Sequence, residues 1–118
     1  MGGTFLDTSV LIPAVIEELG NHETAHTRFA AEVRRDHAVY CSSHTLAESY
    51  ATLTALPLKR RISGPEAAHL IQVNFVQKLE VIDLSFADYA AAIERCSSKG
   101  RVSGQIYDAL HLVAALKA

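Results

Sequence analysis

Three short apolar runs punctuate the chain, and each ends in polar or acidic residues. Thr4-Phe5-Leu6 gives way to Asp7-Thr8-Ser9, Ala38-Val39-Tyr40-Cys41 to Ser42-Ser43, and Leu79-Glu80-Val81-Ile82 to Asp83. The runs are rich in β-branched, aromatic and large aliphatic residues and are too short for helices. They predict strands at residues 3–6, 38–42 and 79–83.

Helical patterns fill the intervals. Asn21 precedes a stripe of Ala25, Phe29, Ala30 and Val33 that closes on Arg34-Arg35. Ser43 or Thr45 is positioned to cap a helix with Leu46, Tyr50 and Leu53 at i, i+4 and i+7, which Pro57 stops. Ser63-Gly64-Pro65 opens a helix through Phe75. Ser85 and Asp88 have the spacing of a capping box, followed by Tyr89, Ala92, Ile93 and Cys96 on one face. After the loop at residues 97–104, a last helix, apolar and expected to be buried, runs from about Gln105 to the end. Strands alternating with helical pairs predict an α/β fold, a three-layer α/β/α sandwich around a short parallel sheet.

Composition narrows the class. The 118 residues fit a single domain, 1–118, and 49% of them are apolar, enough for a core without disulfide or metal. Eleven Lys and Arg against thirteen Asp and Glu exclude an overall basic, coat-like nucleic-acid binder. Cys41 and Cys96 are too few for a disulfide framework and read as reduced core thiols. The longest stretches without Asp, Glu, Lys or Arg, His37–Ala47 and Ala67–Gln77, have eleven residues each. A membrane span needs about 20. With no basic leader before Asp7, the expectation is a soluble, cytoplasmic protein. The last helix has no glycine cap and no strand after it, so the domain is expected to be incomplete at its C-terminus, with a final strand missing.

Ligands of open parallel sheets bind beyond the carboxyl ends of the strands, and Asp7 stands there after the first strand. A carboxylate in such a crevice is costly without a counter-charge. A divalent cation would supply one, since Mg²⁺ favours carboxylate oxygens and retained waters. The alternative role for Asp7 is a helix cap. Glu48 lies off the apolar stripe of its helix, on a small-residue face with Ala51, Thr52 and Ala55. Thr45-x-x-Glu48 also fits a capping box, so a structural role stands beside a chemical one. Asp108 leads the last helix, where the macrodipole favours an acid, and is the only acid after Glu94.

Phe-Leu-Asp7-Thr-Ser-Val-Leu-Ile-Pro, Thr-Leu-Ala-Glu48-Ser-Tyr and Gly-Gln-Ile-Tyr-Asp108-Ala-Leu-His-Leu together resemble the three acidic motifs of the PIN domain. Their order and spacing resemble the bacterial VapC-like toxin ribonucleases in particular. The resemblance spans essentially the whole chain. It implies a Mg²⁺- or Mn²⁺-dependent endoribonuclease with a cognate antitoxin, usually a homodimer. Asp7, Glu48 and Asp108 would be its catalytic, metal-binding acids, with Thr8 and Ser9 as supporting hydroxyls. The family commonly carries a fourth acid on or after a final strand, and no Asp or Glu follows Asp108 here. Asp83 is a conceivable substitute, although a helix-leading role suits it better.

Several carboxylates held close repel one another, and a cation relieves that repulsion while orienting a water and the scissile phosphate. Hydrolysis by water leaves a 5′-phosphate and a 3′-hydroxyl, as in the family. Lys99 and Arg101, just before the Asp108 helix, are the best-placed phosphate contacts. Lys59-Arg60-Arg61 reads as a solvated helix connection, and His111 as a core residue or a support for the site. A degenerate PIN domain that only binds antitoxin or RNA is the competing reading. A haloacid-dehalogenase-like phosphatase would require an acid at Ser9, and a nucleotide-binding fold would require a glycine-rich loop after the first strand.

Overall fold

The computed structural model describes residues 4–34 and 38–118, so Gly3 and Arg35, placed above in the first strand and at the end of a helix, lie outside the described residues. The chain runs β1 (Thr4–Phe5), α1 (Thr8–Val15), α2 (His22–Arg34), β2 (Val39–Ser42), α3 (Ser43–Ala55) and α4 (Gly64–Ile71). A π-helical turn (Gln72–Val76) leads to β3 (Glu80–Ile82), α5 (Phe86–Ser98) and α6 (Gln105–Lys117).

The three strands are parallel in the order β1-β2-β3, with Phe5 beside Tyr40 and Cys41 beside Val81. Because side chains alternate across a strand, each face of the sheet has its own set. Leu6, Val39, Cys41 and Val81 join the main core with residues of α1 to α4. Phe5 and Tyr40 point the other way, and Phe5 meets the edge of His111 on α6 at 4.7 Å. A second, small core of Ala92, Cys96, Ala109 and Leu110 locks α5 to α6. These are the three expected layers. The strands are one or two residues shorter than predicted.

Both cysteines are free and buried, and burial pushes the Cys41 thiol up to about 11. The helix starts follow local chemistry. Ser63 with Glu66 and Ser85 with Asp88 form complete capping boxes. The helix predicted through Phe75 changes pitch at Gln72. Asn74 Nδ2 donates to the Leu70 carbonyl at 3.0 Å, taking the acceptor that an α-helical amide would use, while Phe75 is fully buried.

Three expectations are corrected. The cap of α3 is Ser42, not Ser43 or Thr45: its Oγ accepts from Thr45 N at 3.1 Å. The buried column of α3 is Thr45, Ser49 and Leu53, while Tyr50 is 45% exposed. On α5 and α6, Ile93, Leu112 and Leu116 are exposed, because each helix turns only a narrow stripe of mostly small residues to its neighbour.

Candidate active site

Asp7 sits two residues past β1 and is the N-cap of α1. Its Oδ1 accepts from Ser9 N at 3.1 Å and from Ser9 Oγ at 2.5 Å. Both bonds fall on one oxygen, which leaves Oδ2 without a partner among the described residues. The capping role and a chemical role are thus compatible in one carboxylate. Ser9 is exposed and supports Asp7 from behind without lining the cavity.

Glu48 has no capping role. With Ser42 as the cap, Glu48 lies in the second turn of α3, and its Oε1 accepts from Thr8 Oγ1 at 3.2 Å. The small-residue face proposed beside it is open to solvent at Ala51 and Ala55. What half-buries Glu48 is the start of α1.

Asp108 lies in the first turn of α6 and is exposed. The turn before it is built tightly. Ser103 adopts φ +56°, a left-handed conformation uncommon for a residue with a Cβ. Gln105 Oε1 accepts from Val102 N at 2.8 Å and so closes the loop onto the helix.

Asp7, Thr8, Glu48 and Asp108 line one cavity of about 100 Å³ at the carboxyl ends of β1 and β2. That is room for several waters. Ser42, His44, Thr45, Tyr107 and His111 complete its polar and aromatic wall. Its lining has three carboxylates and, among the described residues, no Lys or Arg. No three His, Cys, Asp or Glu side chains among the described residues stand close enough to hold a metal ion together. The donor set nevertheless fits a hard cation, since Mg²⁺ takes one or two carboxylates and keeps its remaining waters. Oxygen donors on a negatively charged wall are the chemistry such an ion selects.

The other expected contributors stand apart. Lys99 and Arg101 are exposed in the loop between α5 and α6 and do not line the cavity. Asp83 is exposed and offers its backbone carbonyl to Lys117 Nζ at 2.6 Å, while the cap of α5 is Ser85. Arg60 pairs with Glu66 at 2.8 Å. A larger groove of about 550 Å³ beside α1 and α2 holds none of the three acids. Its His22 and His26 donate from Nδ1 to the Pro13 and Ala14 carbonyls, closing the C-terminal end of α1.

Sequence reasoning gave no role to Ser42, His44 or Tyr107. One signal was available: His44 is four residues before Glu48, and Tyr107 directly precedes Asp108, so each shares the neighbourhood of a site acid.

Comparison with known proteins identifies the family. The family model described as PIN domain matches residues 4–118. Ribonuclease VapC27 of Mycobacterium tuberculosis is 32% identical over 110 residues, covering 93% of this chain and 74% of that protein. Among solved structures, VapC20 of Mycobacterium tuberculosis, a sarcin–ricin loop cleaving toxin, superposes with a TM-score of 0.75 at 19% identity, covering 97% of this chain and 82% of that one. VapBC2 of Rickettsia felis, bound to a DNA fragment from its promoter, gives a TM-score of 0.64 at 18% identity, covering 97% and 80%. With the family model matching residues 4–118 and a relative 32% identical over most of both chains, the chain belongs to the PIN-domain family and is VapC-like within it.

Proposed function

We propose that this protein is an endoribonuclease that hydrolyses RNA phosphodiester bonds with a Mg²⁺ or Mn²⁺ ion bound in the cavity of Asp7, Glu48 and Asp108, one or two of these carboxylates holding it directly and the rest through its retained waters. The observation that carries the reading is the meeting of three acids, 41 and 60 residues apart in sequence, around one cavity with no basic residue in its lining. Such a wall is costly alone and favourable around a cation. The similarity to a protein named as a ribonuclease supports RNA as the substrate.

A bound divalent ion would supply an acidified water and neutralise charge on the scissile phosphate. The protein's own residues do the placing. Ser9 holds Oδ1 of Asp7 through two hydrogen bonds, so the carboxylate keeps one orientation at the cavity wall. Thr8 holds Glu48 in the same way across the α1–α3 gap. Asp108 closes the third side from α6. Lys99 and Arg101, outside the cavity, receive flanking phosphates.

The protein acts in the cytoplasm as the toxin of a toxin–antitoxin pair, as a homodimer countered by its cognate antitoxin. The VapBC2 assembly supports the partner, and no described helix is long and apolar enough to cross a membrane. The activity is tested with 5′-labelled single-stranded RNA in Mg²⁺, Mn²⁺ or EDTA. Cleavage in either metal, none in EDTA, and products ending in 5′-phosphate and 3′-hydroxyl are expected. Cyclic phosphate ends, or equal cleavage in EDTA, would contradict it.

A further inference from the structure

We infer that His44 and Tyr107 form a nucleobase-stacking platform at the mouth of the cavity, so that the substrate presents an unpaired base beside the scissile phosphate. The inference rests on the ribonuclease reading above and specifies its substrate.

Both rings line the same cavity as the three acids. They stack with centroids 5.2 Å apart and planes 21° from parallel, an offset geometry favoured by aromatic pairs. Tyr89 meets His44 edge-on at 6.2 Å and 73°, so the histidine is braced from a second side. Tyr107 is 50% exposed. With His44 against one face, the ring presents the rest of its surface to solvent beside Asp108. Its backbone belongs to the turn that Gln105 and the left-handed Ser103 hold in place, so the ring is offered on a fixed support.

A second observation points to a ligand at the same place. His44 Nε2 is buried and has no hydrogen-bond partner among the described residues. A buried polar nitrogen without a partner is costly, and it belongs to a ring that lines the cavity where the substrate would enter. The electrostatics favour the same ligand. Three carboxylates repel an RNA backbone, so the grip near the cut must come in part from groups that carry no charge. Stacking on an aromatic ring supplies that grip for any base, because every base has a π-face. A base in a duplex is already stacked and paired, and reaches such a ring only after being extruded.

The test uses the whole chain with Mg²⁺ and a short single-stranded RNA carrying 2-aminopurine at successive positions. Steady-state cleavage and the fluorescence quench on mixing are read for the wild type, Tyr107→Phe, Tyr107→Leu and His44→Leu. Tyr107→Phe keeps the ring and should match the wild type within about twofold in KM and in quench. Tyr107→Leu and His44→Leu should lose the quench at one position and raise KM by roughly tenfold to a hundredfold, the size of one lost stack. Their kcat should fall far less. The same sequence as a perfect duplex should be a poor substrate for every form. The platform is overturned if Tyr107→Leu keeps both the quench and the KM of the wild type, or if duplex and single strand are cut equally. A wild-type protein that cuts no RNA overturns the ribonuclease reading as well; one that cuts RNA with Tyr107→Leu unaffected overturns the platform alone.

Discussion

Thr8 donates its hydroxyl to Glu48 at 3.2 Å, joining the first turn of the helix after β1 to the second turn of the helix after β2. The two residues are 40 positions apart, and their bond lies on the wall of the acid-lined cavity. It fixes one carboxylate oxygen of Glu48 and leaves the other without a hydrogen bond among the described residues. Thr8→Val keeps the shape and removes the donor. RNA cleavage should fall about tenfold, which corresponds to a charge-assisted bond worth ~1.4 kcal/mol. Thr8→Ser should restore most of it, and the melting temperature should change little. Full activity in Thr8→Val would show that the bond does not orient Glu48.

The cap of α3 separates structure from chemistry at neighbouring positions. Ser42 Oγ is buried and accepts from Thr45 N, so Ser42→Ala should cost about 1 kcal/mol in urea unfolding. Glu48→Gln should leave stability without metal essentially unchanged, because Glu48 caps nothing and Gln still accepts from Thr8. It should nonetheless abolish cleavage. A Glu48→Gln protein as destabilised as Ser42→Ala would return Glu48 to a structural role.

How far these features could be read in advance depended on how local they were. The capping box at Ser85 is complete within four residues and stands where the spacing put it, and the helix that Ser63-Gly64-Pro65 was expected to open starts there, on a capping box the sequence reading had not named. The α3 cap was missed because Ser42, Ser43 and Thr45 crowd one strand–helix junction, and only the end of β2 decides which hydroxyl is free to cap. Ile93 and Leu116 were misjudged because an apolar stripe says nothing of how wide the neighbouring surface is. The grouping of Asp7, Glu48 and Asp108 was legible from the ends of strands in a parallel sheet and from family motifs. The stacked His44 and Tyr107 were not, since no spacing rule brings the starts of α3 and α6 together.

Acid should weaken the fold through its exposed capping boxes. The Arg60 guanidinium and the Ser63 amide and hydroxyl hold the Glu66 carboxyl down at about 2. The Lys117 ammonium, then the Ser85 backbone, lowers the Asp88 carboxyl. A carboxyl depressed in the folded state stabilises fully above its ordinary value near 4.3, and that contribution is lost as pH falls from there toward 2. The urea midpoint should therefore drop between about pH 4.5 and 2. Glu66→Gln keeps the capping-box geometry without the charge, and its midpoint should drop less over the same interval. High salt should shrink the difference, since both pairs are exposed. Parallel curves for the two proteins would contradict the assignment.

Metal-dependent stabilisation of the wild type and of Asp7→Asn tests the central claim most directly. Asn matches Asp in size and still caps a helix, so the variant should melt like the wild type without metal. If the cavity of Asp7, Glu48 and Asp108 holds a divalent ion, Mg²⁺ or Mn²⁺ at a hundredfold excess over its dissociation constant stabilises the wild type by about 2.7 kcal/mol. For a chain of this length that is a rise of several degrees in Tm. Asp7→Asn should lose both that rise and RNA cleavage. An Asp7→Asn protein that responds to metal and cuts RNA as the wild type does would leave Asp7 a helix cap and remove the acid-lined cavity as the catalytic site.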